Sequence, residues 1–132
     1  MKTKNKILSI IIILAVSSVL APALFRSEIV YKREAHAKQQ ITVIKAALDR
    51  YRKEHGVYPS EVEGLSVLMQ AGPHGRYFNS DKYLNDPWNN PIKYQIEKSH
   101  SAVRITLYSF GPNGIDEHMS GDDIYFHAGE EK

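Results

Sequence analysis

A run of 19 residues, Ile7 to Phe25, carries no charged side chain, and it constrains this 132-residue chain more than any other feature. Wound as a helix, a run of that length reaches across about 30 Å of hydrocarbon. Lys2, Lys4 and Lys6 precede it. A basic leader followed by an apolar run is either a cleaved signal peptide or an uncleaved anchor. The small-residue site Ala21-Pro22-Ala23 is poor for cleavage because proline separates the alanines, and the run is long for a signal-peptide core. The expectation is an N-terminal transmembrane helix or signal anchor over 1–26 and a globular domain over 27–132. Arg26, Lys32 and Arg33 follow the run, so positive charge alone leaves its orientation open.

Beyond the run the pattern stays helical. No Gly or Pro interrupts Ala35 to His55, and Ala37, Ile41, Ile44, Leu48 and Tyr51 recur at spacings of three and four. The spacing predicts one long helix, kinked at Pro22, that stops at Gly56 and needs a partner for its apolar stripe. Ser60-Glu61-Val62-Glu63 is a capping box opening a short helix through about Gln70, with Leu65, Leu68 and Met69 inward. Ala71 to Lys82 reads as a polar loop, and Asp86-Pro87-Trp88-Asn89-Asn90-Pro91 as a rigid turn with Trp88 as a core plug. Ile92 to Ile96 and Val103 to Tyr108 read as two strands. A strand hairpin laid on a long helix is an α+β arrangement.

Candidate chemistry concentrates near the end. Phe110-Gly111-Pro112-Asn113-Gly114-Ile115 and Ser120-Gly121-Asp122-Asp123 combine turn-permitting glycines with hard oxygen donors, the donor chemistry of calcium. Taken alone the segment also reads as an acidic surface loop. From Phe110 onward there are six acidic residues (Asp116, Glu117, Asp122, Asp123, Glu130, Glu131) against one basic, Lys132. That field suits a cation and argues against nucleic acid. There is no cysteine, so disulfides and Cys-based zinc are excluded. The six histidines show no zinc-like spacing, and no nucleophile motif or phosphate loop is present. Asp122-Asp123 could mimic a catalytic carboxylate pair, but adjacent loop residues seldom aim at one bond.

Several motifs fall in one order: Ala46-Ala47-Leu48-Asp49-Arg50-Tyr51-Arg52, Gly56-Val57-Tyr58-Pro59, Glu63-Gly64-Leu65, Asp86-Pro87-Trp88-Asn89-Asn90-Pro91, Tyr94, Tyr108-Ser109-Phe110-Gly111-Pro112-Asn113-Gly114 and Asp122-Asp123-Ile124. As an ordered set over about Leu20 to Ile124 they resemble the major pseudopilins of type II secretion, the protein G family. The resemblance implies a type IV pilin-like fold, with a long N-terminal helix packed on a small antiparallel sheet and a C-terminal calcium-binding loop. It implies a non-enzymatic subunit that assembles through its N-terminal helices into a pseudopilus, alongside other pseudopilins and an inner-membrane platform. It also implies a single pass through a bacterial inner membrane, with the C-terminal domain in the periplasm. The calcium ligands it implies are the carbonyls of Phe110 and Ile115 and the side chains of Asn113, Ser120 and Asp122, with Asp123 completing the set.

The sequence departs from that family in three places. Asn113 stands where an Asp is usual. The stretch between Ile115 and Ser120 is a little longer, with Asp116 and Glu117 as possible substitute ligands. No Gly or Glu precedes the apolar run, where the family has a Gly-Phe-Thr-Leu-Ile-Glu processing segment. A non-polymerising, membrane-anchored accessory protein of pilin-like fold is the alternative, and a small hydrolase using Asp122 or Asp123 a third.

Overall fold

The computed structural model describes residues 2–99 and 102–127; within them, the side chains of 2–14, 17, 19, 20, 23, 24, 126 and 127 lie outside the description. Helix α1 covers Lys2–His55. The chain divides into two units, 1–33 and 34–132.

In the first unit the described residues are helical, with Pro22 inside the helix. Ser18 Oγ donates to the Ala15 carbonyl at 2.8 Å, and Lys32 pairs with Glu28 one turn back at 2.8 Å. Among the described residues no helix is long and apolar enough to cross a membrane. Most side chains of Ile7–Phe25, on which the anchor expectation rests, lie outside those residues.

In the second unit the predicted stripe is the centre of the core. Ala37, Ile41, Ile44 and Leu48 are wholly buried, and Tyr51 packs half-buried beside them. Each large aliphatic side chain buried this way contributes roughly 1.5–3 kcal/mol. Gly56 ends the helix, its N–H donating to the Arg52 carbonyl at 2.7 Å. The polar side of the last turns is laced by ion pairs one turn apart, Lys45–Asp49 at 2.6 Å and Arg50–Glu54 at 2.9 Å.

The capping box forms as the spacing predicts. Ser60 N–H donates to Glu63 Oε2 at 2.9 Å and Glu63 N–H to Ser60 Oγ at 3.2 Å. It opens a turn rather than an α-helix, and the helical segment is a 3₁₀ turn over Gly64–Met69. The reason is Gly64, whose φ of 56° is left-handed and interrupts a right-handed helix at its start. Leu65 and Leu68 still point inward.

The stretch read as a polar loop is more structured than its composition suggests. It holds a minimal hairpin, β1 (Ala71–Gly72) with β2 (Gly75–Arg76), and runs into a 3₁₀ turn over Asp81–Leu84. Phe78 is buried, and Tyr77 hydrogen-bonds through its hydroxyl to the Glu54 carboxylate of α1. The Arg50 guanidinium lies 4.9 Å from the Tyr77 ring centre and donates to the His74 carbonyl at 3.1 Å. A loop rich in glycine is thereby fastened to the helix by its aromatic residues.

The main sheet is antiparallel in the order β3-β4-β5, with β3 at Lys93–Lys98, β4 at Val103–Ser109 and β5 at Ile124–His127. The first two match the expected strands within two residues. The third was not expected; Ile124 pairs with Ser109 and Tyr125 with Tyr108. From the sheet, Tyr94, Ile105, Leu107 and Ile124 join the helix stripe in one core, with Trp88 packed against it as a partly buried plug. Tyr94 donates its hydroxyl to the Pro59 carbonyl at 2.8 Å, which fixes the connector after α1 to the sheet. On the outer side of β3, the Ile96 N–H donates to the carboxylate of Glu61 at 3.1 Å.

Candidate metal centre

The segment 110–123 leaves the sheet at the end of β4 and returns at the start of β5. Its two ends are joined by the Ser109–Ile124 register pair, so it is a closed loop standing on the sheet. Gly111 sits at φ 64°, and a Cβ there would lie 2.1 Å from the Asp122 carbonyl oxygen. The two limbs of the loop therefore touch backbone to backbone, and only glycine permits it.

The base of the loop is anchored by a group outside it. Asp86, 5% exposed, accepts from the N–H groups of Trp88 at 2.9 Å and Asn90 at 2.8 Å through Oδ1. Its Oδ2 accepts from the Ser109 hydroxyl at 2.6 Å, and Ser109 Oγ in turn accepts from Gly111 N–H at 3.1 Å. The Asp-Pro-Trp segment reads from sequence as a rigid turn, and nothing local signals that its carboxylate reaches Ser109, 23 residues away.

The acidic side chains are arranged inward. Asp122 Oδ2 accepts from Asn113 N–H at 3.1 Å. Asp123 Oδ2 accepts from the N–H groups of Glu117 at 3.1 Å and Met119 at 2.9 Å. That double acceptance holds His118 and Met119 at φ 57° and 63°, a left-handed conformation worth about 1–3 kcal/mol of strain in each non-glycine residue. The second oxygens, Asp122 Oδ1 and Asp123 Oδ1, are buried and have no hydrogen-bond partner among the described residues.

Asn113 Oδ1 accepts from Ile115 N–H at 2.6 Å, and Ser120 Oγ donates to the Glu117 carbonyl. Phe110 is half-buried with its ring edge-on to Tyr108, and the Ile115 side chain is exposed. The possible substitutes are engaged elsewhere. Asp116 accepts from the Tyr108 hydroxyl at 3.2 Å and contacts His118 Nδ1 at 3.1 Å, while Glu117 Oε2 accepts from Asp122 N–H at 3.0 Å. Burial pushes the Tyr108 hydroxyl up to about 12, with the Asp116 hydrogen bond acting the same way. Burial works to raise Asp116 too, but hydrogen bonds from His118 N–H and Tyr108, with the imidazole's charge, hold it below the usual carboxylate range.

Among the described residues no three or more His, Asp or Glu side chains form a metal-holding group. The candidate set does not depend on such a group, because it combines two aspartates with carbonyl, amide and hydroxyl oxygens. Two buried carboxylate oxygens without a donor are unfavourable by roughly 1–3 kcal/mol each, and the segment 110–123 supplies no Lys or Arg to satisfy them. The donor set fits a hard cation held by oxygen, as calcium is. It does not fit carboxylate catalysis, since Asp122 and Asp123 are each tied to different backbone amides of their own loop.

The family described as type II secretion system (T2SS), protein G, matches residues 28–125. The type II secretion system core protein G of Pseudomonas aeruginosa is 31% identical over 127 residues, covering 91% of this chain and 88% of the relative. That of Klebsiella pneumoniae is 27% identical over 128 residues, covering 89% of each. The crystal structure of the major pseudopilin of enterohaemorrhagic Escherichia coli shares the fold, with a TM-score of 0.53 at 24% identity over 75% of this chain and 86% of that one. A match through the helix stripe, the Asp-Pro-Trp turn and the closed acidic loop leaves one assignment: the chain belongs to the type II secretion system protein G family.

Proposed function

We infer that the chain is a structural, non-enzymatic subunit of a type II secretion pseudopilus, and the observation that carries this is the family match across residues 28–125. In this reading Ile7–Phe25 anchors it in the bacterial inner membrane in a single pass, with the head in the periplasm. Subunits associate through their N-terminal helices and meet other pseudopilins and the inner-membrane platform. The uncharged run supports the anchor, since nothing in it opposes burial in hydrocarbon. The test is complementation. A strain lacking its core protein G and expressing this chain is expected to recover secretion and to give ladders of cross-linked subunits. A chain that inserts in the membrane without restoring secretion or cross-linking would be the non-polymerising accessory protein instead.

Calcium is the cation proposed for the loop. The carbonyls of Phe110 and Ile115 and the side chains of Asn113, Ser120, Asp122 and Asp123 would hold it, and the two unpartnered carboxylate oxygens support that reading. Bound there, the ion would neutralise the aspartates and tie the limbs of the loop. A ligand that binds only the folded state stabilises it by about 2.7 kcal/mol at a hundredfold excess over Kd. Thermal melts of the full chain with calcium and with chelator are expected to differ, and Asp122→Ala to remove the difference. Identical midpoints for the unaltered chain would reduce the loop to solvated surface.

A further inference from the structure

The loop also contains a reactive backbone junction. Asn113-Gly114 is the only Asn-Gly pair in the sequence, and both residues are exposed. The Ile115 N–H donates to Asn113 Oδ1 at 2.6 Å. That bond closes a ring of atoms running through the Gly114 nitrogen and holds the Asn113 side chain folded toward the backbone that follows it. The same bond draws electron density toward Oδ1 and leaves the carbon more electrophilic. No side chain on Gly114 stands in the way of attack, and Gly114 N–H donates no hydrogen bond among the described residues.

We propose that Asn113-Gly114 is a site of spontaneous hydrolytic deamidation that adds a carboxylate to the acidic loop as the protein ages. The Gly114 nitrogen loses its proton to base and bonds to Asn113 Cγ. The Cγ–Nδ2 bond breaks, and Nδ2 leaves as ammonia, giving a cyclic imide. Water then opens the imide on one of its two carbonyls. Opening at Cγ returns a normal backbone with Asp at 113; opening at the backbone carbonyl gives isoaspartate, with an extra methylene in the main chain. The net change is one water consumed and one ammonia released, with no redox partner.

The other asparagines lack this combination. Asn5 precedes Lys6, Asn79 and Asn85 precede Ser80 and Asp86, and Asn89 precedes Asn90, so a side chain shields each following nitrogen. Asn90 precedes Pro91, whose nitrogen has no proton to lose. At Asn113 the new charge would face a crowded neighbourhood, because Asn113 N–H already donates to Asp122 Oδ2 at 3.1 Å. The Asp product would therefore raise the loop's demand for a cation. That consequence rests on the calcium reading; the modification does not.

The experiment incubates the full chain at mildly alkaline pH, folded and in urea, and follows each asparagine by peptide mapping and mass spectrometry. Conversion of Asn113 ahead of every other asparagine, at least as fast in the folded chain as in urea, is the expected result. Gly114→Ala is expected to slow it several-fold; Asn113→Gln, which leaves the loop's glycines in place, should remove the signal at 113 without affecting other sites. An Asn113 that converts in urea but persists in the folded chain would overturn the proposal, as would Asn79 converting equally fast. Melts of Asn113→Asp with calcium separate the two readings. A larger calcium shift than in the unaltered chain joins them, whereas no calcium shift in either protein sinks the calcium reading and leaves the mass result to decide the modification.

Discussion

Asp86→Ala tests how the head is held together, because one buried carboxylate serves four donors. It accepts from Trp88 N–H, Asn90 N–H, Asn90 Nδ2 and the Ser109 hydroxyl. Removing it strands two backbone amides and a wholly buried hydroxyl. Each orphaned group is unfavourable by roughly 1–3 kcal/mol. Ser109 can still be used by Gly111 N–H, and some water will enter, so the expected loss is about 3–5 kcal/mol. That is a large part of the ~5–15 kcal/mol that stabilises a domain. Asp86→Asn should lose less, about 1–2 kcal/mol, since its amide oxygen can keep the backbone donors while its NH₂ turns to Ser109. Urea unfolding of the full chain, read by fluorescence of Trp88, the only tryptophan, measures both. A double-mutant cycle with Ser109→Ala should show strong coupling. An Asp86→Ala protein within about 0.5 kcal/mol of the unaltered chain would refute the reasoning, because losses that small belong to surface positions.

Other outcomes follow from the same structure. Leu48→Ala, at a wholly buried stripe position, should lower stability by about 2–5 kcal/mol in the same urea assay. Gly111→Ala should open the acidic loop, because its Cβ would meet the Asp122 carbonyl at 2.1 Å; slower amide exchange at Asn113 than in the unaltered chain would contradict this. Alkaline titration should unfold the head. Burial, followed by carboxylate hydrogen bonds, pushes Tyr77 and Tyr108 up to about 12, against about 10 in an unfolded chain. The folded state thus keeps protons that the unfolded state has lost, and stability falls as pH rises from about 10 through 12. Circular dichroism across that range checks it, and Tyr108→Phe should flatten the fall.

The long helix and its stripe were legible because a spacing of three and four is a local signal, and Ala37, Ile41, Ile44 and Leu48 are all buried as the period requires. The capping box was legible for the same reason, and the short helix it announced forms as a 3₁₀ helix over Gly64–Met69 rather than an α-helix, because Gly64 adopts a left-handed φ that composition does not reveal. Strand β5 was missed. Ile124-Tyr125-Phe126 has strand-forming residues, but it follows an acidic loop and nothing local says that Ile124 finds Ser109 across it. The tethering of Tyr77 to Glu54 and of Asp86 to Ser109 is likewise long-range. In the loop, the residue types pointed to oxygen chemistry, while the buried, unpartnered aspartate oxygens emerge only once the limbs are folded together.

The hydrogen bond from Ile96 to Glu61 bears on how such a protein tolerates crowding. An edge strand offers free amides to any passing chain, and that invitation is the usual route to sheet-by-sheet aggregation. Here one outward amide of β3 is already satisfied by a carboxylate from the same molecule. Lys93, Glu97 and Lys98 place alternating charges along the same short strand. An incoming strand that pairs along the whole of β3 would have to displace Glu61 and come up against those charges. At Ile96 the β3 edge is thus capped by its own chain, so a neighbouring sheet can extend along the full strand only by displacing Glu61.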